Sequence, residues 1–254
     1  MCLRGTPIYW VFPEIYRNIV KIVVEKYLSY WYNYISQRDE QKNQILYKYL
    51  EELPMPVRIA ILGGPRCGKT TLIQQLYVDL KIRDINVGVA TEYSTDYLRD
   101  KGMIESISEQ YGIYLGQLHL EKSLDGHDYA ITDYATFVPY IYGRLMLGDK
   151  KRTKKEIEIL NDLYSLAIRD LPQYDHIFFV PREFGYKKDG VRWQDEEVAQ
   201  MVDKAILGFL DAENVKYSVI KGSTKERSEQ IMKIVGINKA VVQPAKEKEA
   251  VIEK

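Results

Sequence analysis

The sequence has few cysteines, no net charge and no long hydrophobic run. Its only cysteines are Cys2 and Cys67, which excludes a disulfide framework and favours a reducing compartment. The 36 Lys and Arg residues balance 36 Asp and Glu residues, so net charge gives no sign of a dedicated nucleic-acid binder. The most apolar stretch, residues 19–24, is interrupted by Lys21, and no signal peptide is visible. These features predict a cytoplasmic protein without a membrane segment.

Composition divides the chain into three regions. Residues 1–56 are rich in tyrosine and tryptophan and repeat apolar residues at helical spacing, which predicts a helical hairpin. Residues 57–242 alternate short apolar runs with helical patterns, and residues 243–254 form a charged tail that we expect to be disordered. The aromatic hairpin is a candidate surface for self-association or for a protein partner.

The central region contains five short apolar runs that we interpret as buried strands. They cover residues 57–62, 86–91, 129–132, 176–180 and 217–220. Because helical patterns separate most of these runs, we predict an α/β fold with a mostly parallel sheet, covered on both faces and joined by right-handed crossovers.

The first predicted strand continues directly into the sequence Gly-Gly-Pro-Arg-Cys-Gly-Lys-Thr, and a helical pattern follows. This is the phosphate-binding P-loop pattern G-x-x-x-x-G-K-[ST] in its required context of strand and helix. Glycines allow a tight turn whose backbone N–H groups point at a phosphate, and the helix directs the positive end of its dipole at the same anion. Lys69 is expected to reach the β- and γ-phosphates and the Thr70 hydroxyl to ligate Mg²⁺. The predicted nucleotide-binding residues here are Gly63, Gly64, Pro65, Arg66, Cys67, Gly68, Lys69, Thr70 and Thr71.

The third predicted strand ends in an acidic residue, Asp133. In P-loop proteins an Asp at the end of a neighbouring strand holds Mg²⁺, directly or through water. Asp125 and Asp128 precede the strand and would lie at the opposite end of the sheet. Asp133 is therefore the predicted metal-side acid, and the alternative is that it only caps the following helix.

Four further segments follow the P-loop in a recognisable order. They are Thr-Glu-Tyr-Ser-Thr-Asp-Tyr-Leu at residues 91–98, Gly-Gln-Leu-His-Leu-Glu at 116–121, Asp-Gly-Val-Arg at 189–192, and Gly-Ser at 222–223 with Arg227 shortly after. This order resembles the NadR-like ribosylnicotinamide kinase family, with its phage and bacterial relatives, over about residues 57–235. The resemblance implies a P-loop kinase fold with strand order 2-3-1-4-5 and ATP with Mg²⁺ as the phosphoryl donor.

The resemblance also implies roles for individual residues. Glu92 would hold the acceptor hydroxyl or act as its base, and Asp133 would serve the Mg²⁺. Arg192 would close over the phosphates, with Arg182 as a second candidate for this task. Arg227 would pack near the nucleotide base.

Together these observations predict an ATP- and Mg²⁺-dependent kinase that phosphorylates a hydroxyl of a nucleoside, nucleotide or related small molecule. One alternative is a kinase acting on nucleic acid, at an end or at a hydroxymethylated base, with the basic residues 150–155 and the aromatic hairpin as its binding surface. The other is an ATPase acting through a protein partner. A GTPase-type switch is disfavoured, because Asn/Thr-Lys-x-Asp is absent and no Asp-x-x-Gly follows the acidic strand.

Overall fold

The computed structural model describes residues 55–149, 151–183 and 196–237. The predicted hairpin lies outside these residues apart from Met55 and Pro56, and so do Arg192 and the charged tail. The predictions made for those segments are therefore not tested by the fold.

Strands and helices alternate along the described residues. The strands are β1 (Val57–Leu62), β2 (Val87–Ala90), β3 (Tyr129–Asp133), β4 (His176–Phe179) and β5 (Ser218–Val219). The α-helices are α1 (Lys69–Lys81), α2 (Tyr93–Lys101), α3 (Gln110–Lys122), α4 (Val138–Leu147), α5 (Lys154–Asp170), α6 (Glu196–Ala212) and α7 (Thr224–Val235). One short 3₁₀ helix, Ile107–Glu109, leads into α3, and another, Leu171–Gln173, follows α5.

The five strands form one parallel sheet in the order β2-β3-β1-β4-β5. This confirms the predicted fold class and the strand order implied by the resemblance. The central strand β1 pairs with β3 so that Ile61 lies beside Asp133, and with β4 so that Leu62 lies beside Phe179. The loop after β1 therefore emerges at the middle of the carboxyl edge, where open α/β sheets bind their ligands.

Successive side chains of β1 point to opposite faces of the sheet, and each face carries its own hydrophobic core. Ile59 and Ile61 pack on one face and Ala60 and Leu62 on the other, all of them fully buried. Their principal helical partners are Leu72, Leu76 and Ile231 on the first face and Ile141, Val202 and Ile206 on the second. Burial of each large side chain contributes about 2 kcal/mol, so the sheet is a rigid platform for the loops at its edge.

Within the described ranges no helix combines the length and the apolarity needed to span a bilayer.

Candidate functional site

The loop between β1 and α1 adopts a conformation that only glycine accommodates at several positions. Gly63 and Gly68 have φ angles of +147° and +90°. A Cβ atom on Gly63 would lie 2.6 Å from the carbonyl oxygen of Val180, and one on Gly64 would lie 2.5 Å from that of Ala199. Close packing and positive φ angles therefore explain the glycines of the predicted phosphate loop.

Lys69 is the first residue of α1, and its side chain is buried within the loop. Its Nζ donates hydrogen bonds to the carbonyl oxygens of Gly63 at 3.0 Å and Gly64 at 3.2 Å. The same Nζ lies 4.3 Å from the centre of the Tyr134 ring, within the range of a cation–π interaction. The ammonium group is thus held over the loop by two carbonyls and an aromatic face.

The charges around Lys69 keep it protonated. Burial by itself lowers the pKa of Lys69, but Coulombic interactions with Cys67, Asp133 and Glu92 outweigh it, and the pKa is raised. The predicted phosphate lysine therefore interacts electrostatically with both the metal-side acid and the acceptor-side acid.

Thr70, at the start of α1, meets Asp133, at the carboxyl end of β3. The Thr70 hydroxyl donates a hydrogen bond of 2.8 Å to Oδ2 of Asp133, which is the last residue of β3 and is 3% exposed. Hydroxyl and carboxylate oxygens are the ligands that Mg²⁺ prefers. In the part of the chain that the structure describes, no three His, Cys, Asp or Glu residues form a metal-binding group. The donor set fits an Mg²⁺ ion held by one or two protein oxygens and completed by phosphates and water.

A partly buried ion pair holds the start of the loop against α6. Arg182 donates a 2.7 Å hydrogen bond to the carbonyl oxygen of Pro65 and forms a 3.1 Å ion pair with Asp203. The Asp203 carboxylate also accepts a hydrogen bond from the backbone N–H of Gly64. Arg182, considered above as a lid residue, therefore contacts the loop backbone itself.

Arg227 supports the loop from α7. It is 1% exposed and donates to the carbonyl oxygen of Cys67 at 3.2 Å and to the carboxylate of Glu183 at 2.8 Å. The Glu183 carboxylate also accepts a 2.7 Å hydrogen bond from the N–H of Gly222. Arg227 thus connects the phosphate loop to the segments that follow β4 and β5, and contact with a nucleotide base stays a prediction.

A cavity of about 370 Å³ opens beside the phosphate loop, between α2, α3 and α4. Pro65 of the loop, Glu92 and Tyr134 contribute to its wall, and most of the remaining wall is apolar. The other lining residues include Leu98, Arg99, Met103, Ile104, Ile113, Gln117, Val138, Pro139, Tyr142 and Met146. The Tyr134 ring also contacts Lys69, and Glu92 interacts with Lys69 electrostatically, so these two polar side chains lie at the end of the cavity next to the loop.

Glu92 occupies the N-cap position of α2, directly after β2. The Ser94 hydroxyl donates a 2.6 Å hydrogen bond to its carboxylate. Burial raises the pKa of Tyr134 and of Tyr142, and the negative charge of Glu92 raises both further. Glu92 is thus a carboxylate at the polar end of the cavity, electrostatically coupled to its two tyrosines.

The predicted site residues divide into three groups. Lys69, Thr70, Asp133 and Glu92 are brought together at the carboxyl edge, and Arg227 contacts the loop. Thr71 is exposed on α1. Arg192 lies outside the described residues.

The sequence analysis did not identify several residues that belong to the site. Asp203 contacts the loop, Gln117 and Tyr142 line the cavity, and Tyr134 covers Lys69. Gln117 and Asp203 were detectable in principle. Each is a polar residue on the apolar side of an amphipathic helix, Gln117 in α3 and Asp203 in α6. Neither tyrosine carries a comparable sequence signal.

Solved structures with a similar fold include two crystal structures of NadR protein. The structure in complex with NAD and AMP-PNP has a TM-score of 0.57 at 15% identity, and the structure in complex with NR has 0.56 at 16%. These alignments cover 79% and 72% of this chain but only 59% and 51% of the NadR chains. Thymidylate kinase from Candida albicans aligns with a TM-score of 0.50 at 16% identity, over 73% of this chain and 93% of that chain. The expected likeness to NadR is confirmed at the level of the fold.

No curated protein matches this sequence. A family model described as an AAA domain matches residues 58–227, which include the phosphate loop, Glu92, Asp133 and Arg227. Since this match spans more than half of the chain, the protein belongs to this AAA-domain family.

Proposed function

We propose that this protein is an ATP- and Mg²⁺-dependent phosphotransferase that transfers a γ-phosphoryl group to a hydroxyl of a nucleoside, nucleotide or related small molecule. The observation that carries the proposal is the cavity between Pro65, Glu92 and Tyr134. A nucleotide switch needs no second pocket beside its phosphate loop, whereas a kinase needs an acceptor site within reach of the γ-phosphate. The similarity of the fold to NadR and thymidylate kinase supports the same proposal.

The residues around the loop supply the charge neutralisation that phosphoryl transfer requires. Lys69 donates to the transferring phosphates, in exchange for its hydrogen bonds to the Gly63 and Gly64 carbonyls. Thr70 and Asp133 would hold the Mg²⁺ ion. When bound, this ion neutralises charge on the β- and γ-phosphates. Arg192 is proposed to close over them, as the resemblance implies.

Glu92 acts on the acceptor. Its carboxylate lines the cavity and accepts the proton of the acceptor hydroxyl as that hydroxyl attacks the γ-phosphorus, while the bond from this phosphorus to the β–γ bridging oxygen breaks and ADP leaves. A positioned general base typically contributes about 10²- to 10⁴-fold to a reaction rate. Glu92 lies at the cavity end nearest the loop, which suits this task.

The charges of the cavity wall disfavour an acceptor that carries a phosphate. Among the lining residues of the described chain, Glu92 is the sole anion and Arg99 the sole cation. Arg99 forms a 2.8 Å ion pair with Asp96, so part of its charge is already matched. An acceptor that carries a phosphate would face Glu92 with little compensation, whereas a nucleoside ring would contact the apolar walls.

The test is transfer of labelled γ-phosphate from ATP, with Mg²⁺, to a panel of nucleosides, nucleotides, nicotinamide riboside and hydroxymethylated DNA. We expect label on at least one small acceptor and its loss in the Lys69→Ala variant. Release of free phosphate at a rate that no acceptor changes would contradict the proposal. It would favour the ATPase alternative, whose partner surface was predicted in residues 1–56.

One observation favours a nucleic-acid acceptor as the second candidate. The described part of the basic run, residues 151–155, follows α4 closely, and Met146 near the end of α4 lines the cavity. Lys154 and Lys155 are exposed there. If nucleic acid is the acceptor, replacing both with Glu should lower transfer to DNA at low salt and leave transfer to a nucleoside unchanged. Equal transfer to DNA by both proteins would remove this candidate.

A further inference from the structure

Two polar side chains on α3 are buried where an apolar core residue would be expected. Glu121 is 1% exposed and Gln117 is 3% exposed, and they lie one helical turn apart. The Gln117 amide nitrogen lies 3.3 Å from a carboxylate oxygen of Glu121 and donates to it. Buried polar groups without partners are costly, so the partners of this pair define its task.

On one side the pair holds the start of α2. The Gln117 carbonyl oxygen accepts a 3.0 Å hydrogen bond from the backbone N–H of Tyr93, the residue that follows Glu92. The Tyr93 ring packs over Gly116, where a Cβ atom would lie only 2.1 Å from it. The segment that carries Glu92 is thus attached to α3 by a hydrogen bond and by close packing.

On the other side the pair holds the segment that carries Asp133. Gln117 donates to the Thr132 hydroxyl at 2.9 Å, and this hydroxyl lies 3.1 Å from Glu121 and donates to the Tyr134 carbonyl at 2.6 Å. The second Glu121 oxygen accepts a 2.9 Å hydrogen bond from the Tyr174 hydroxyl, which in turn accepts one from the Thr136 N–H at 2.8 Å. Residues on both sides of Asp133 are therefore connected to Glu121.

We propose that Glu121, together with Gln117, is a positioning residue for the acceptor: it connects the segment of Glu92 to the segment of Asp133 and so sets the separation of the two acids. This rests on the roles given to Glu92 and Asp133 under the proposed function. Neither Glu121 nor Gln117 has to bind the acceptor. The Gln117 carbonyl oxygen is taken by Tyr93, and its amide nitrogen by Glu121 and Thr132.

The first test measures positioning without any activity. Glu121→Gln replaces one accepting oxygen with an amide nitrogen, which faces a donor from Gln117 or from Tyr174. At pH 8, above the pKa of about 7 of the Glu121 carboxyl, we expect hydrogen exchange of peptides containing Tyr93 and Thr136 to become at least tenfold faster. Tyr114→Phe is the matched control, because Tyr114 is buried on the same helix and donates at 2.9 Å to Asp170, away from both segments. Unchanged exchange at both segments would overturn the proposal.

The second test is kinetic. Glu121→Gln should raise KM for the acceptor and lower kcat by larger factors than it changes ATP affinity, because its contacts reach the phosphate loop only indirectly, through Asp133 and Tyr134. In a double-mutant cycle, Glu121→Gln should cost less activity in the Glu92→Gln background than in the wild type, since part of its effect acts through Glu92. Two results would overturn the positioning role of Glu121: losses of activity that simply add in the double variant, or a Glu121→Gln variant with a lowered Tm but unchanged kinetics. Gln117→Met replaces Glu121→Gln in every arm if the latter fails to fold.

The two tests separate the inference from the function beneath it. If the wild-type protein labels no acceptor but the variant loosens both segments, the connection through Glu121 holds and the proposed kinase function falls. If the wild type is an active kinase and the variant leaves both segments and the kinetics unchanged, the function stands and the positioning role falls.

Discussion

The phosphate loop and the acceptor cavity lie side by side at the carboxyl edge of one sheet, but they are built in different ways. The loop consists of consecutive residues, and its shape follows from glycines at positions with positive φ angles or close backbone contacts. The cavity is assembled from side chains of α2, α3 and α4, which are distant in the sequence. The two regions also differ in charge: a buried lysine dominates the loop, and Glu92 with apolar walls dominates the cavity. Under the proposed function, the loop would hold a donor phosphate of fixed chemistry, and the cavity would determine which acceptor enters.

The largest expected effect is on the loop. Lys69→Ala should lower phosphoryl transfer by about 10³-fold, because the ammonium that neutralises developing charge is lost. Phosphate transfer and Tm are measured together, and Tm should change little. Lys81→Ala is the control, since Lys81 is exposed at the end of the same helix. A Lys69→Ala variant that keeps a tenth of the activity would contradict the assignment of the loop.

The next effect addresses the cavity alone. Glu92→Gln should lower kcat by about 10²-fold through loss of the general base, with ATP binding preserved. Steady-state kinetics and nucleotide titration distinguish the two steps. Asp100→Asn is the control, because Asp100 is exposed on the same helix. If ATP binding weakens as much as turnover, Glu92 belongs to the loop and the division between the two regions is wrong.

Asp133 lies where the two regions meet. Asp133→Asn should raise the Mg²⁺ concentration needed for half-maximal activity by about tenfold, because a carboxylate ligand becomes a neutral amide. The affinity for ATP measured without Mg²⁺ should change less than this Mg²⁺ dependence. Asp128→Asn is the control, since Asp128 is exposed before the opposite end of the same strand. Equal losses with and without metal would remove Asp133 from the metal site.

The smallest effect is on stability and concerns the buried pair behind the cavity. Burial raises the pKa of Glu121 to about 7. Hydrogen bonds from Tyr174, Gln117 and Thr132 and the charge of Arg58 lower this pKa, but they do not outweigh burial. The folded protein therefore keeps a proton that the unfolded chain releases near pH 4.5. The free energy of unfolding should fall as pH rises from about 4.5 to 7, by up to about 3 kcal/mol, and should level off above that.

Denaturant unfolding at pH 5, 6, 7 and 8 measures this dependence. The difference between wild type and Glu121→Gln isolates the contribution of Glu121, because Gln does not titrate. Glu158→Gln, at an exposed position on α5, should leave the dependence unchanged. A wild-type curve that rises over this range relative to Glu121→Gln would show that the carboxylate is the favoured form in the fold.

Much of the loop could be predicted because its determinants are local. Gly63, Gly68 and Lys69 specify a strand, a turn and a helix start by their own backbone preferences. The acids Glu92 and Asp133 could also be placed, since each follows a strand whose carboxyl end must reach the same edge. The strand boundaries were less accurate: β2 and β5 are shorter than the predicted runs.

The sequence by itself determined the α/β alternation, the phosphate loop and the edge where the acids gather, because backbone geometry and strand polarity follow from short-range patterns. Only the tertiary structure decided that the Tyr134 ring covers Lys69, that Arg182 reaches Pro65 across 117 positions, and that Glu121 connects Glu92 to Asp133. Each of these contacts joins side chains of different elements, and their distances depend on how helices pack on the sheet. Local sequence patterns do not predict that packing, apart from the signal of a polar residue on the apolar side of a helix.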